Sequence, residues 1–447
     1  MASERLEVVE ICAGAGGQSL GLHRAGFAHR LALELDSNAA TTLSHNLARL
    51  LVAEEGASPE EAQETAKSIV KVGDVADKAL WDPYDHKGVD LLAGGVPCPP
   101  FSIAGNQLGA TDERDLFAWA VHLCTDIQPK ALLLENVKGL SGNRFSAYRQ
   151  HILELLHNAG YVGEWRLLEA HQFGVSQLRP RFVLVALQKE FAEYFHWPEP
   201  SAEKPPTVGE LLKDLMAEDG WAAEHVEAWA AKASAIAPTI VGGSKKHGGA
   251  DLGPTRAKAA WRELGVDAMG VADKAPGADK GGDHLPKLTT AMVARIQGWS
   301  GEDYYWEFQG RKTTVYRQIG NAFPPPVAEA LGKAIKSALR KEKKREDSVE
   351  WARPDLDPVY LLLRHYPGKA PLTAQKMADL IAVSGGKKLP VPEIERRIAH
   401  IERDFHVEKT ARSNGELAYQ LGEFKAFIGQ QDHARHDYFA QHRGKVS

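Results

Sequence analysis

A chain of 447 residues exceeds what one hydrophobic core usually organises, which implies a large domain of about 200 residues or more with smaller ones attached. Its composition, 43% hydrophobic and 25% charged, excludes disordered and fibrous classes; with no bilayer-length apolar run and no export signal in MASERLEVVE, the expected protein is cytoplasmic and has no membrane partner. The net charge of -5 looks unsuited to nucleic acid until it is divided: Lys333 to Ser447 hold 22 Lys+Arg against 16 Asp+Glu, which leaves -11 for residues 1 to 332.

In chain order, EVVEIC, RLALEL, VDLLAGG, ALLLENV and RFVLVAL read as short apolar strands, with helices starting near Gln18, Asn38 and Leu116 between them. Strands alternating with helices predict a doubly wound α/β domain with a parallel sheet over residues 1–189. From about Glu190 the alternation stops and Ala, Gly, Pro and Trp dominate, so residues 190–287 are expected as a small inserted domain. Residues 288–340 return to the first domain, and KSALRKEKKRED is a charged helix end or linker. In 346–447, PEIERRIAHIERDF sets Ile394, Ile398, Ile401 and Phe405 on one helical face, and Asn414-Gly415 marks a hairpin. Helix, helix, hairpin is the order of a winged-helix-like α+β unit.

Four short motifs carry chemistry. Ala13-Gly14-Ala15-Gly16-Gly17 follows the first strand and opens a helix, and Glu34 ends the next strand 20 residues after Gly14, where a carboxylate can accept from ribose hydroxyls. A tight turn that merely packs would look similar, and the missing G-x-G-x-x-G favours a mononucleoside over a dinucleotide. Gly94-Gly95-Val96-Pro97-Cys98-Pro99-Pro100 puts a thiol on stiff backbone at a strand's C-terminal end; a small core thiol is the plainer alternative. Glu135-Asn136-Val137 ends another strand, as either a functional carboxyl or a helix cap. In Gln177-Leu178-Arg179-Pro180-Arg181, two arginines on extended backbone share a face and suit a carbonyl, a phosphate or a surface ion pair. The three cysteines, Cys12, Cys98 and Cys124, are too few and too scattered for a disulfide framework or a zinc site, so no metal is expected.

Together and in this order the motifs resemble the DNA cytosine-5 methyltransferases of bacterial restriction-modification systems. The resemblance covers residues 7 to 335 through EICAGAGG, Glu34 and Asp36, Gly73-Asp74, GGVPCPPFS, DERDLF, ENV, HQFGVSQLRPR and YRQIGNAFPPPVAEALG. It implies a Rossmann-like fold using S-adenosylmethionine, with Glu34 on its ribose, Asp74 on its adenine, and Cys12, Ala13, Gly14, Ala15, Gly16, Gly17, Pro97 and Asn321 around it. It implies catalysis by Cys98, Glu135, Arg179 and Arg181: sulfur adds to carbon 6 of a flipped-out cytosine, Glu135 supplies a proton at N3, Arg181 holds O2, and Arg179 organises a closing loop or a phosphate. That loop would be Ile103 to Asp115, hinged at Gly105 and Gly109. The implied partners are duplex DNA and a cognate restriction endonuclease, with Lys245, Lys246 and Arg256 of the inserted domain as candidate DNA contacts. Departures from the family's commoner pattern are Cys12 for a stacking Phe, Pro99 for Gln and Ser176 for Pro. The competing expectations are an RNA cytosine-5 methyltransferase and an inactive sequence-specific DNA-binding protein.

Overall fold

The structure, a computed structural model, describes residues 5–97, 114–243, 250–346, 357–366, 370–384 and 389–425. The chain runs β1 (Leu6–Ile11), α1 (Gly17–Ala25), β2 (Phe27–Glu34), α2 (Ser37–Glu55), α3 (Pro59–Ile69), β3 (Val70–Val72), β4 (Leu91–Gly94), α4 (Arg114–Ile127), β5 (Ala131–Val137), α5 (Ser146–Asn158), β6 (Tyr161–Glu169) and β7 (Pro180–Gln188). It continues through α6 (Lys189–Ala192), α7 (Val208–Ala217), α8 (Ala223–Lys232), α9 (Thr255–Glu263), α10 (Thr290–Ile296), α11 (Lys312–Asn321), α12 (Pro325–Leu339) and α13 (Pro358–His365). Last come β8 (Leu372–Thr373), α14 (Ala374–Val383), α15 (Val391–Asp404), β9 (Phe405–Ala411) and β10 (Leu417–Phe424).

Local chemistry sets several of these boundaries. Asp36 caps α2 by accepting from the N–H groups of Asn38 and Ala39, and Gly56 at φ 70° ends that helix. Ser58 and Glu61 form a reciprocal capping box with Pro59 in the first turn of α3, and Thr207 and Glu210 do the same for α7. The sequence reading did not anticipate α3, β3, α5 or β6. VKV is too short to register as a strand, and β6 is half-exposed along most of its length, so neither shows the uninterrupted apolar run of its neighbours.

The described chain divides into two compact units. The first comprises residues 1–96, 127–136 and 165–347. Its sheet has the order β3-β2-β1-β4-β5-β7-β6, and the pairings of β3 with β2, β2 with β1, β1 with β4 and β4 with β5 are parallel. The chain thus starts mid-sheet, builds outward to β3, then reverses to the other side of β1, which opens a crevice at the C-terminal ends of β1 and β4. The inner strands are buried on both faces: Val8, Val9, Leu33, Leu91, Leu92, Leu132, Leu133 and Leu184 have essentially no exposed surface. One apolar core runs from Leu43 and Leu47 of α2 through Trp299 and Trp306 to Leu212, Trp229, Trp261 and Met292. Within residues 190–287, the buried hydrophobic residues from Val208 to Ala275 belong to that core.

The second unit comprises residues 97–126, 137–164 and 348–447. Its C-terminal part runs α13, β8, α14, α15, β9, β10, with an antiparallel sheet in the order β8-β10-β9. Ile394, Ile398 and Ile401 are buried as the helical spacing predicts, whereas Phe405 is buried as the first residue of β9, beyond the helix end; the hairpin turns at Gly415, φ 82°, where Asn414 accepts from the Glu416 N–H. These residues pack with α5: His151 lies 4.4 Å from the ring of Phe424 and 5.2 Å from that of Phe405, and Tyr360 donates to Glu154. Among the described residues no helix is long and apolar enough to cross a membrane, and no group of three or more His, Cys, Asp or Glu could hold a metal ion.

Candidate functional site

The glycine turn after β1 departs from ordinary backbone. Cys12 (φ 51°), Gly14 (φ 58°) and Gly16 (φ 98°) are all left-handed, a conformation that costs a non-glycine residue such as Cys12 about 1–2 kcal/mol. The surroundings hold it there: the Ala13 N–H donates to the Leu33 carbonyl at 3.0 Å, and the indole N–H of Trp306 donates to the Ala15 carbonyl at 2.7 Å. Trp306 is packed so tightly that a Cβ on Gly16 would lie 2.5 Å from its Cζ2 and 2.9 Å from Leu43 Cδ1, whereas a Cβ on Gly14 would meet nothing within 4 Å. The turn is clamped on one side and open on the other. Gly16→Ala combines overpacking with a strained φ, so it should destabilise the protein by about 1–3 kcal/mol, read as a lowered thermal midpoint. An unchanged midpoint would refute the clamp.

Glu34, at the end of β2, faces this turn. Its Oε2 accepts from the Gly14 N–H at 2.7 Å and its Oε1 from the Asp36 N–H at 2.7 Å, which fixes the plane of the carboxylate. Burial pushes its pKa up, and the two backbone N–H donors, Asp36 then Gly14, pull it back down. Each oxygen has a second lone pair, so the group retains capacity to accept from a ligand's hydroxyls. One strand further out, the Gly73 N–H donates to the Glu34 carbonyl at 2.9 Å, and Asp74 follows with its carboxylate accepting from the Ala76 N–H at 3.0 Å. Gly14, Glu34 and Asp74 therefore line the C-terminal ends of three adjacent strands, β1, β2 and β3.

A second group lies on the other side of the crevice. Glu135, near the end of β5, has its Oε1 2.5 Å from Nε of Arg181, the second residue of β7, and both side chains are at least nine-tenths buried. Burial raises the Glu135 pKa, and the guanidiniums of Arg181 and then Arg179 lower it, with burial the largest effect. A Cβ on Gly95 would lie 3.6 Å from Glu135 Oε2 and 3.6 Å from the Cys12 carbonyl oxygen. The glycine turn, the Gly94-Gly95 segment and the buried carboxyl thus converge, two residues before half-buried Pro97. Asn136 completes the join by donating from Nδ2 to the Val96 carbonyl at 3.1 Å.

The other expected residues fare differently. Cys98, the loop from Ile103 with its hinges at Gly105 and Gly109, Lys245 and Lys246 lie outside the described residues. Arg256 is exposed in the first turn of α9. Arg179 is 2% exposed; its Nη1 donates to the Ile240 carbonyl at 2.7 Å, and its Nη2 donates to those of Gly320 (2.8 Å) and Ala322 (2.9 Å). A buried guanidinium spent on three carbonyls positions backbone. Asn321 sits beside the glycine turn only through its neighbours, since the Phe323 carbonyl and Ala322 Cβ abut Gly17; its own Nδ2 donates to the Gly243 carbonyl at 3.4 Å. Trp306 and the buried Gln297, whose Oε1 accepts from Gln177 Nε2 and whose Nε2 donates to the carbonyls of Ile319 and Ala322, were not anticipated. Nothing in their local sequence distinguishes them from other core residues.

The C-5 cytosine-specific DNA methylase family matches residues 6–337. The chain is 58% identical to the Type II methyltransferase M.NaeI of Lentzea aerocolonigenes over 99% of its own length and 100% of that protein. It is 47% identical to the Type II methyltransferase M.NgoMIV of Neisseria gonorrhoeae, covering 75% of this chain and 98% of that one, and 32% identical to M.Eco47II of Escherichia coli, covering 76% and 80%.

Proposed function

Since the chain belongs to the C-5 cytosine-specific DNA methylase family and is a DNA cytosine-5 methyltransferase, we propose that it methylates cytosine within one specific duplex sequence, through a covalent bond to Cys98, as the modifying member of a restriction-modification pair. The observation that carries this reading is the buried Glu135–Arg181 pair beside Gly95, three residues before Cys98. Carbon 5 of cytosine is too electron-poor to take a methyl group unaided. Addition of the Cys98 thiolate to carbon 6 makes it nucleophilic, and the charge pushed onto the ring is met by a proton from Glu135 at N3 while Arg181 donates to O2. Burial supports this role, because it favours the protonated carboxyl that can donate. Once carbon 5 carries the methyl group, loss of its proton restores the ring's double bond and expels the Cys98 sulfur, and N3 returns its proton to Glu135. Arg179 acts at one remove, holding the chain that carries Arg181.

The cofactor reading is S-adenosylmethionine, which when bound supplies an electrophilic methyl group. The open space at Gly14 and the oriented Glu34 carboxylate support it: Glu34 would take the ribose hydroxyls, Asp74 the adenine, and residues 12–17, Pro97 and Asn321 the remainder. Residues 190–287 would read the target, with Lys245, Lys246 and Arg256 toward DNA. The order of α13 to β10 supports a winged-helix-like C-terminal unit. The Type II names of the relatives support a partner endonuclease.

One experiment tests the whole. The enzyme is incubated with methyl-labelled S-adenosylmethionine and either duplex DNA or total RNA, and bisulfite sequencing of the DNA locates the product. Label in one recurrent DNA sequence, plus a covalent adduct on duplexes carrying 5-fluorocytosine, is expected. Label in RNA alone, or methylated DNA with no trapped adduct, refutes the proposal.

A further inference from the structure

One hydroxyl ties together two parts of the chain on either side of residues 244–249. Tyr316, in α11 and 1% exposed, has its hydroxyl 2.6 Å from the Asp251 carbonyl oxygen and 3.0 Å from that of Val241, so a single proton is shared between them. The first part is held at every residue. The Ile240 N–H donates to Gln177 Oε1 at 2.8 Å, the Ile240 carbonyl accepts from Arg179, and the Gly243 carbonyl accepts from Asn321. Gly242 lies against Gly320 and Asn321 so closely that a Cβ on it would sit 2.3 Å from Asn321 Oδ1 and 2.8 Å from the Asn321 backbone nitrogen. The second part is anchored by the Lys258–Asp251 ion pair at 2.7 Å and by Leu252, fully buried, whose N–H donates to the Ala268 carbonyl at 3.1 Å.

What this frame presents outward is unusual for held backbone. Val241 is 47% exposed, and so is Leu178, which joins the same segment through its N–H to the Ala237 carbonyl at 2.7 Å. Exposed apolar side chains on rigid backbone, with Lys245 and Lys246 in the sequence between the tied ends, suit contact with a duplex better than contact with water. We propose that Tyr316 is a specificity-positioning residue: by tying Val241 to Asp251 it sets the frame from which this segment meets DNA, and so determines which duplex sequence is accepted without touching the reacting base. The inference rests on reading residues 190–287 as the target-recognition region.

The test is Tyr316→Phe in the full-length enzyme, assayed on the methylated sequence found by bisulfite mapping and on duplexes with one base pair of it changed. The expected result is a KM for DNA raised about tenfold and a discrimination between matched and mismatched duplexes lowered about tenfold, with kcat on the matched duplex and affinity for S-adenosylmethionine unchanged. Gly242→Ala displaces the same segment and also presses on Asn321; its readout is therefore discrimination alone, which should fall as in Tyr316→Phe and carries the test if that variant does not fold. Unchanged discrimination in both variants overturns the inference, as does an equal fall in kcat on every duplex, which is the mark of a merely structural role. Lys245→Ala/Lys246→Ala separates the two levels. If that variant alters site choice while the clamp variants do not, the clamp is wrong and the region's reading stands; if it leaves affinity and site choice untouched, the reading falls and the clamp with it.

Discussion

Cys98→Ser enzyme is expected to bind duplex DNA normally and to transfer methyl groups at least about four orders of magnitude more slowly than the unaltered protein. Sulfur is a strong nucleophile whose anion is accessible near neutral pH, whereas a serine hydroxyl ionises far above it and has no base assigned to activate it. The position matters as much as the element. Pro97 and Pro99 flank Cys98 with restricted backbone, and Gly95 sits where its Cβ would be 3.6 Å from Glu135 Oε2. Gly95, three residues before Cys98 in the sequence, thus lies against the buried carboxyl proposed to answer the nucleophile. Single-turnover transfer of labelled methyl groups, paired with a DNA-binding measurement, checks the prediction; near-normal transfer by the serine variant would end the covalent proposal.

Glu135→Gln should lower the transfer rate by about 10²–10⁴-fold, the usual loss when a positioned proton donor is removed. The amide can still donate a hydrogen bond to N3, but it cannot give up a proton. The pH profile distinguishes this from simple damage. Because burial holds the folded pKa of Glu135 above the ordinary carboxylate value, the donating form persists to higher pH than in an exposed glutamate, and its activity is lost as pH rises through the folded value. Stability moves the same way: the contribution of this group is complete below the ordinary carboxylate range and is lost as pH climbs through the raised value. The unaltered enzyme should therefore show an alkaline limb in rate that the Gln variant lacks, while the acid limb, set by ionisation of Cys98, remains in both. Breaking a buried ion pair typically costs about 3–5 kcal/mol; the loss here should be smaller, because the Gln carbonyl can still accept from Arg181. Rates must be compared well below the lowered midpoint. A Gln variant with the same alkaline limb would assign that limb to another group and remove Glu135 from the proton step.

Both predictions use residues that were legible before any coordinates. Strand ends announce themselves: an apolar run stopping at Glu135, at Gly94-Gly95 or at Glu34 locates the sheet's C-terminal edge, and functional groups gather there because backbone and crevice leave room for a ligand. The helical face of Ile394, Ile398 and Ile401 and the turn at Asn414-Gly415 were readable for the same reason, since each depends on residues a few positions apart. Arg179 and Arg181 show where such reading stops. Two residues apart on extended chain, they are alike in local sequence, yet one meets the Glu135 carboxyl and the other donates to carbonyls 61, 141 and 143 positions away.

The amino-acid sequence by itself determined the alternating α/β plan, the chemistry available at each strand end and the amphipathic C-terminal helix, because propensity, capping and periodicity act over a few residues. Only the tertiary structure decided that Trp306 clamps a turn 291 residues earlier, that Arg181 pairs with Glu135, and that Tyr316 ties Val241 to Asp251. Those partners are chosen by strand order and by the shape of a shared core, and shape of that kind exists only once distant segments are packed together.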